Sequence, residues 1–301
     1  MKNLYKKQNV FICRHEAHNG FQSKMSVFHI LKEKKCFPHG CVYYKWKCKS
    51  MNKGKACYRG YQYVGKNCPG CRYFYEETVH CYPQLVLDPQ KYPAFLNEFK
   101  QFEEWLQDHQ GREWEIHGRI YGIKPRFEKT LFPRAERLTF RGFLLIFHGL
   151  YLERTHIQDF VYAHISPLTQ ENLKFGKGDT LTARATLTTD RGRLILKKLR
   201  RIDVEQRGEP AEWSRSRALV ARETATPFPY QPQGCIQCPF GVLVDVTDLR
   251  NGDNHFRELF CLKGIQDPRG CHIRASYKHL DEEVDDEASA ACLTQRVKTH
   301  S

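Results

Sequence analysis

The sequence lacks long apolar runs, and it lacks cysteine through its middle. No stretch of the 301 residues stays apolar over the roughly 20 positions that a membrane-spanning helix requires, so we expect no membrane partner. Residues 1–7 are basic and no hydrophobic signal region follows them, a pattern that predicts a cytoplasmic protein. All 13 cysteines lie either up to Cys81 or from Cys235 onward. In a reducing compartment, that many cysteines favour metal binding over disulfides.

Enzyme signatures are also missing. The chain has no G-x-x-x-x-G-K-[ST] phosphate loop and no G-x-S-x-G nucleophile elbow. His15-Glu-Ala-His18 places its histidines three residues apart, whereas the zinc-protease motif needs four. Asp245, Asp248 and Asp253 lie close in sequence, but the turn around Asn251 favours solvated turn acids over a nuclease metal site. We therefore name no catalytic residue and expect binding rather than catalysis.

Basic charge is the strongest compositional feature. The chain has 48 Lys and Arg against 34 Asp and Glu, a formal net charge of +14. Residues 1–84 contain sixteen basic and four acidic side chains, so this quarter of the chain carries +12 of that charge. Such a chain attracts polyanions, of which nucleic acid is the commonest. The densest lysine cluster consists of Lys45, Lys47, Lys49, Lys53 and Lys55.

Residues 113–205 alternate between apolar and polar side chains in the way that half-buried strands do. Ser166-Pro167 supplies an N-cap and a first-turn proline for a short helix over 168–175. Asp190-Arg-Gly192 predicts a tight hairpin turn. The five predicted strands are Trp114–Tyr121, Leu138–Phe147, Phe160–Ile165, Leu181–Leu187 and Arg193–Val204.

This order of three strands, a helix, a Gly-Asp turn and a hairpin resembles the OB fold, a small Greek-key barrel that often binds single-stranded nucleic acid. The resemblance covers about a third of the chain and rests on element order, on Gly178-Asp179 and on Arg191-Gly192. It implies a mostly β protein with an OB-like five-stranded barrel. Another small β-barrel or sandwich is the alternative.

Strand alternation predicts which barrel side chains face outward. If Ile116 and Ile120 point into the core, the residues between and beside them point out. The outward set is rich in aromatic rings, which favours base stacking with arginine at the phosphates. Cover by the cysteine-rich module or by the preceding helix is the alternative. The candidates are Arg119, Tyr121, Arg141, Phe143, Phe147, Phe160 and Tyr162.

Two C-x2-C knuckles mark the cysteine-rich segments, because one tight turn can aim two thiolates at the same metal ion. The second knuckle extends to C-x2-C-x22-C-x9-C, a complete four-cysteine set of Cys235, Cys238, Cys261 and Cys271. The first extends to C-x10-C-x2-C-x9-C, also complete, with Cys57, Cys68, Cys71 and Cys81. The remaining early cysteines form a third site or exchange partners with the first set; they are Cys13, Cys36, Cys41 and Cys48. Cys292 is left over.

Zinc is the expected metal, at two to three ions per chain, because four-cysteine zinc sites are common in nucleic-acid-binding proteins. An iron–sulfur cluster is the alternative, since it also takes four thiolates. Cys68-Pro69 and Cys238-Pro239 carry a proline that often follows a cluster cysteine. The Cys57–Cys81 spacing is similar to the four-cysteine cluster of some DNA helicases and repair enzymes, although no helicase motor is present.

The sequence therefore predicts a metal-dependent protein that binds nucleic acid, single-stranded DNA or RNA in preference to duplex, without membrane contact. An iron–sulfur enzyme or redox factor acting on nucleic acid is one alternative, and a zinc-stapled scaffold for an acidic protein partner is another. The predicted segments are a cysteine-rich basic metal-binding N-terminal module (1–84), a linking helix (85–112), the barrel (113–205), a linker (206–234), a C-terminal four-cysteine module (235–280) and an acidic disordered tail (281–301).

Overall fold

The computed structural model describes residues 1–16, 18, 23–228, 231–250 and 254–273. The predicted acidic tail with Cys292, the end of the C-terminal module after residue 273, and Asp253 lie outside the described residues. The chain divides into two units, Leu4–Phe99 and the combination of Met1–Asn3 with Lys100–Ser301.

The first unit contains little regular structure. Its core packs around β1, which lies between β2 and β5 in an antiparallel sheet, while β3 and β4 form a separate hairpin. Val10, Phe11, Val27 and Ile30 are fully buried there. The strands are β1 (Phe11–Ile12), β2 (Lys24–Met25), β3 (Cys41–Cys48), β4 (Phe74–Cys81) and β5 (Gln84–Leu85). Over the described residues of this unit, the helical turns are a π-helix (Phe28–Glu33) and two 3-10 helices (Leu4–Lys6 and Met51–Lys53).

Helix α1 (Tyr92–His109) carries an aromatic stripe that the sequence spacing predicts as core. Phe95, Phe99, Phe102 and Leu106 repeat on one helical face, and all four are buried. The sequence also predicts Asp88-Pro89 as the cap of this helix, but α1 begins three residues after Pro89, because Asp88 accepts backbone hydrogen bonds that form a turn before the helix. Among the helices of the described ranges, none combines the length and apolarity needed to cross a bilayer.

A closed five-stranded barrel forms most of the second unit, which confirms the predicted mostly β, OB-like fold. The strands pair in the order β6-β7-β8-β10-β9, and β6 closes the barrel by pairing with β9. All pairs are antiparallel except β8 with β10. The barrel strands are β6 (Glu113–Leu131), β7 (Glu136–Leu152), β8 (Thr155–Ile165), β9 (Thr180–Asp190) and β10 (Arg193–Gln206).

The connection between the third and fourth barrel strands follows its sequence signals. Helix α2 (Pro167–Leu173) begins where predicted, and the Ser166 Oγ accepts the backbone N–H of Thr169 at 3.0 Å. The turn after α2 is fixed by Asp179, which is 1% exposed. Its carboxylate accepts the backbone N–H groups of Gly176 at 3.0 Å and Gly208 at 2.7 Å. A buried carboxylate with several such donors holds the loop rigid.

The C-terminal segment extends the barrel sheet instead of standing apart from it. The far half of β6 pairs in parallel with β12, from Glu128 opposite Asp245 to Leu131 opposite Asp248. Strands β12, β13 and β11 then continue the sheet to eight strands. The remaining elements are α3 (Arg215–Thr224), β11 (Thr226–Phe228), α4 (Gln233–Gln237), β12 (Gly241–Asp248), β13 (Asn254–Cys261) and a 3-10 helix (Pro268–Gly270).

Candidate nucleic-acid interface and cysteine clusters

Two rows of aromatic rings cross the outer face of β6, β7 and β8. In the first row, the His148 ring lies 5.8 Å from Tyr121 and 4.7 Å from Phe160. In the second row, the Tyr151 ring lies 6.4 Å from His117 and is stacked on His156 at 4.6 Å. The two tyrosines remain 42% and 47% exposed. Exposed rings on strands two and three of an OB-like barrel can stack on unpaired bases.

Positive side chains border the first row of rings. An open surface pocket of about 460 Å³ is lined by Arg119, Tyr121 and His148 from the barrel wall and by Lys177 from the loop before β9. The Arg119 Nε donates to the Gly178 carbonyl at 3.3 Å, which holds the guanidinium at the pocket's edge. Arginine and lysine next to stacking rings supply the charge that a phosphate backbone needs.

A second basic surface lies on the ribbon of β9 and β10. Within the described residues, the five basic side chains of this surface form no ion pair, so their charge is available to a polyanion. Glu115 lies opposite Arg184 in the β6–β9 ladder and moderates that charge locally. The exposed members are Arg184, Lys197, Lys198, Arg200 and Arg201.

The outward prediction is correct for β6 and wrong for part of β7. Arg119 and Tyr121 are exposed, whereas Phe143 and Phe147 are fully buried. The cause is a β-bulge. Arg126 pairs with Gly142 and Phe127 pairs with Phe140, so the intervening Arg141 has no partner in the β6–β7 ladder. One extra residue reverses the in-out alternation of everything after it.

The other outward candidates are at least partly accessible. Arg141 is exposed and donates to Glu128 at 2.7 Å. Phe160 is half-buried and belongs to the first ring row. Tyr162 is half-buried beneath the Arg193 guanidinium, which lies 5.1 Å from the ring centroid, so one face of this ring is already occupied.

The N-terminal lysine cluster divides into two groups. Lys45 pairs with Glu16, and Lys47 lies 2.7 Å from Glu77 across the β3–β4 hairpin. Lys49, Lys53 and Lys55 are exposed on and after the turn that follows β3. The opposite face of β3 presents Val42, Tyr44 and Trp46, and these are 52%, 65% and 43% exposed.

Three of the four C-terminal cysteines lie close together. Cys235 on α4 and Cys261 at the end of β13 share a buried apolar group with Phe228 and Leu259. Burial raises the pKa of the Cys238 thiol and nearby Cys261 acts in the same direction, whereas the backbone N–H of Phe240 and the Lys124 ammonium oppose them. Cys271 is partly buried and follows Pro268–Gly270.

The eight early cysteines lie at the two ends of the β3–β4 hairpin. At one end, Cys41 is opposite Cys81 in the ladder, and the Cys13 Sγ lies 3.8 Å from the Cys81 Sγ. Burial raises the pKa of Cys81 to about 11, and the neighbouring Cys13, Cys41 and Cys36 act in the same direction. At the other end, four more cysteines line one small cavity; these are Cys48, Cys57, Cys68 and Cys71.

In the described part of the chain, no three His, Cys, Asp or Glu side chains are placed so that they could hold a metal ion as they stand. The carboxylates weighed as a nuclease site are engaged elsewhere. Asp245 accepts from the Arg257 guanidinium at 2.7 Å, and Asp248 is bidentate with Arg250 at 2.7 and 2.9 Å. Both acids therefore fix β12 and its following turn.

Sequence alternation missed His148, Tyr151 and His156 as parts of the ring rows. A second irregularity at Gly149, whose φ is +89°, separates the ladder pairs on either side of it. The glycine was the available signal, because an isolated glycine within a strand often marks a bulge.

Comparisons with known proteins do not assign this chain to a family. No family model matches it, and no curated protein matches it. Among solved structures, it is similar to a mitochondrial single-stranded DNA-binding protein from S. cerevisiae, Rim1, at 14% identity. That match covers 33% of this chain and 97% of the other, with a TM-score of 0.19. A score this low assigns neither a partner nor an activity to the chain.

Proposed function

We propose that this chain binds single-stranded nucleic acid on the outer face of β6, β7 and β8. The observation that carries the proposal is the first ring row of Tyr121, His148 and Phe160, bordered by Arg119 and Lys177. Each stacked base contributes about 1–3 kcal/mol, and every base offers a ring face, so the expected binding tolerates many sequences. Duplex DNA hides those faces and should bind only through its charge.

The proposal includes structural metal. Twelve cysteines in two knuckle-containing segments fit thiolate ligands better than isolated buried thiols do. We expect the metal to fold the loops that hold the cysteines rather than to contact the nucleic acid. Zinc is the metal proposed, because it favours tetrahedral thiolate sites and needs no redox partner.

The experiment measures fluorescence anisotropy of labelled oligothymidylate, oligouridylate and a duplex of equal length with the full chain. Tyr121→Ala and His148→Ala should each weaken single-strand affinity about tenfold, since each removes one stacking ring. Leu168→Ala is the matched control, because Leu168 is a 63% exposed apolar side chain on α2 that belongs to neither ring row. Equal affinity for single strands and duplex, or two ring variants that bind like the control, would overturn the proposal.

A further inference from the structure

The β3–β4 hairpin separates the eight early cysteines into two groups. Cys41 lies opposite Cys81 at one end of the ladder, and Cys48 lies opposite Phe74 at the other. Strands rise about 3.4 Å per residue, so the two ends, seven residues apart, are separated by about 24 Å. Four sulfurs around one zinc ion, each about 2.3 Å from it, lie about 3.8 Å from one another. Cys81 therefore cannot share an ion with cysteines at the Cys48 end.

Two of the four sulfurs at the Cys41 end lie at the separation that a tetrahedral site requires. The Cys13 and Cys81 sulfurs are 3.8 Å apart, which is the edge expected of a zinc tetrahedron. The Cys41 Sγ is 3.6 Å from the Cys81 carbonyl oxygen. Cys36 precedes Cys41 by five residues and is buried, with its Sγ 3.9 Å from the Ile30 carbonyl oxygen.

The Cys48 end encloses a cavity that suits one ion. Its four cysteines line a space of about 20 Å³ together with Met51 and Phe74. Polar groups also approach two of its sulfurs: the Gly65 N–H donates to the Cys68 Sγ at 3.4 Å, and the Tyr58 hydroxyl lies 3.7 Å from the Cys71 Sγ. Such donors stabilise metal-bound thiolates.

We propose that the eight early cysteines form two interleaved zinc sites, one at each end of the β3–β4 hairpin. The first site consists of Cys13, Cys36, Cys41 and Cys81. The second consists of Cys48, Cys57, Cys68 and Cys71. This pairing exchanges Cys48 and Cys81 relative to the order along the chain, and it deepens the structural-metal part of the proposed function.

Paired serine substitutions in the full chain distinguish the interleaved from the sequential arrangement. Cys48→Ser with Cys57→Ser removes two ligands from one interleaved site and should cost one zinc equivalent. Cys57→Ser with Cys81→Ser damages both sites and should cost two. The sequential arrangement predicts the reverse losses for the same two variants. Metal content is measured by plasma mass spectrometry after anaerobic purification, and Cys292→Ser, the single cysteine left over, is the control.

A second measurement keeps the test valid if a double variant fails to fold. Cadmium-113 replaces zinc in the wild-type chain, and scalar couplings then show which cysteine β-protons share an ion. Couplings from Cys48 and Cys57 to one cadmium, and from Cys13 and Cys81 to another, are expected. Couplings from Cys57 and Cys81 to one cadmium would overturn the pairing while leaving structural metal intact. No bound metal, or iron with sulfide, would overturn the zinc proposal itself.

Discussion

Lys124 is a charged residue buried in the barrel wall. Its Nζ donates to the carbonyls of Ile236 at 2.7 Å and Gly241 at 2.8 Å, on either side of Cys238. Burial lowers the pKa of Lys124 to about 7, although the nearby Cys238 acts in the opposite direction. This single side chain therefore ties the C-terminal knuckle to β6.

Lys124→Met should destabilise the second unit. The methionine keeps the volume of the side chain but leaves two buried carbonyls without a donor, at a cost of about 1–3 kcal/mol. Urea unfolding followed by tryptophan fluorescence measures this cost. Lys100→Met replaces a lysine whose side chain is 77% exposed and should leave the midpoint within error. Equal midpoints for the two variants would mean that the buried ammonium contributes nothing.

His164 should make the protein less stable as the pH falls. Burial lowers its pKa to about 4, and the charges of Arg126 and Lys197 act in the same direction. The unfolded chain, with an ordinary histidine pKa near 6.5, then binds more protons between these values. The contribution of the neutral His164 to stability is fully present above about pH 6.5 and is lost as pH falls toward 4.

His164→Gln tests that pH dependence, because glutamine cannot titrate. Unfolding free energies measured from pH 7 to pH 4.5 should fall less steeply in the variant, by on the order of 1 kcal/mol after allowance for solvent screening. Parallel curves for variant and wild type would assign the acid sensitivity to other groups.

At the scale of elements, β7 depends on a bulge that only glycine permits. Gly142 has φ +111°, and a Cβ there would lie 2.3 Å from the Ile165 carbonyl oxygen. Alanine would be strained in its backbone and would collide with an atom that cannot move.

Gly142→Ala should therefore lower stability by about 2 kcal/mol or more. Gly122→Ala, on the paired strand β6, is the matched control, because a Cβ at that position meets no atom within 4 Å. Thermal melting of both variants gives the comparison. A Gly142 variant that melts with the control would show that the bulge can relax without loss.

The elements that sequence predicts well are those fixed by local chemistry. The five barrel strands, the Ser166 cap and the α1 stripe all depend on neighbouring residues, and all are present. The outward faces of β7 and the partners of Cys48 and Cys81 depend on bulges and on long-range ladder register. Neither can be read from spacing. One unpaired residue moves every later side chain of its strand to the opposite face, and ladder register pairs residues that are far apart in sequence.

At the scale of the whole molecule, some lysines of the N-terminal cluster are paired with glutamates, whereas others are exposed to solvent. Removing two exposed lysines with Lys53→Gln and Lys55→Gln should lower the single-strand salt slope by about 1.4, since each phosphate contact contributes about 0.7. Lys45→Gln with Lys47→Gln changes net charge equally but removes lysines already paired with Glu16 and Glu77, so the slope should change less. Affinity measured from low to physiological salt gives both slopes. Identical slopes in the two double variants would mean that net charge alone matters.

The length of β6 has a consequence for how the chain emerges during synthesis. Its far half pairs with β7 on one edge, and the other edge finds its partner only when β12 is made, more than a hundred residues later, as the pairing of Glu128 with Asp245 requires. Until then, this edge of a completed barrel is open to strands from other copies of the chain. Arg126, Glu128 and Lys129 lie along that edge, and alternating charges there discourage such pairing while the ribosome finishes the molecule.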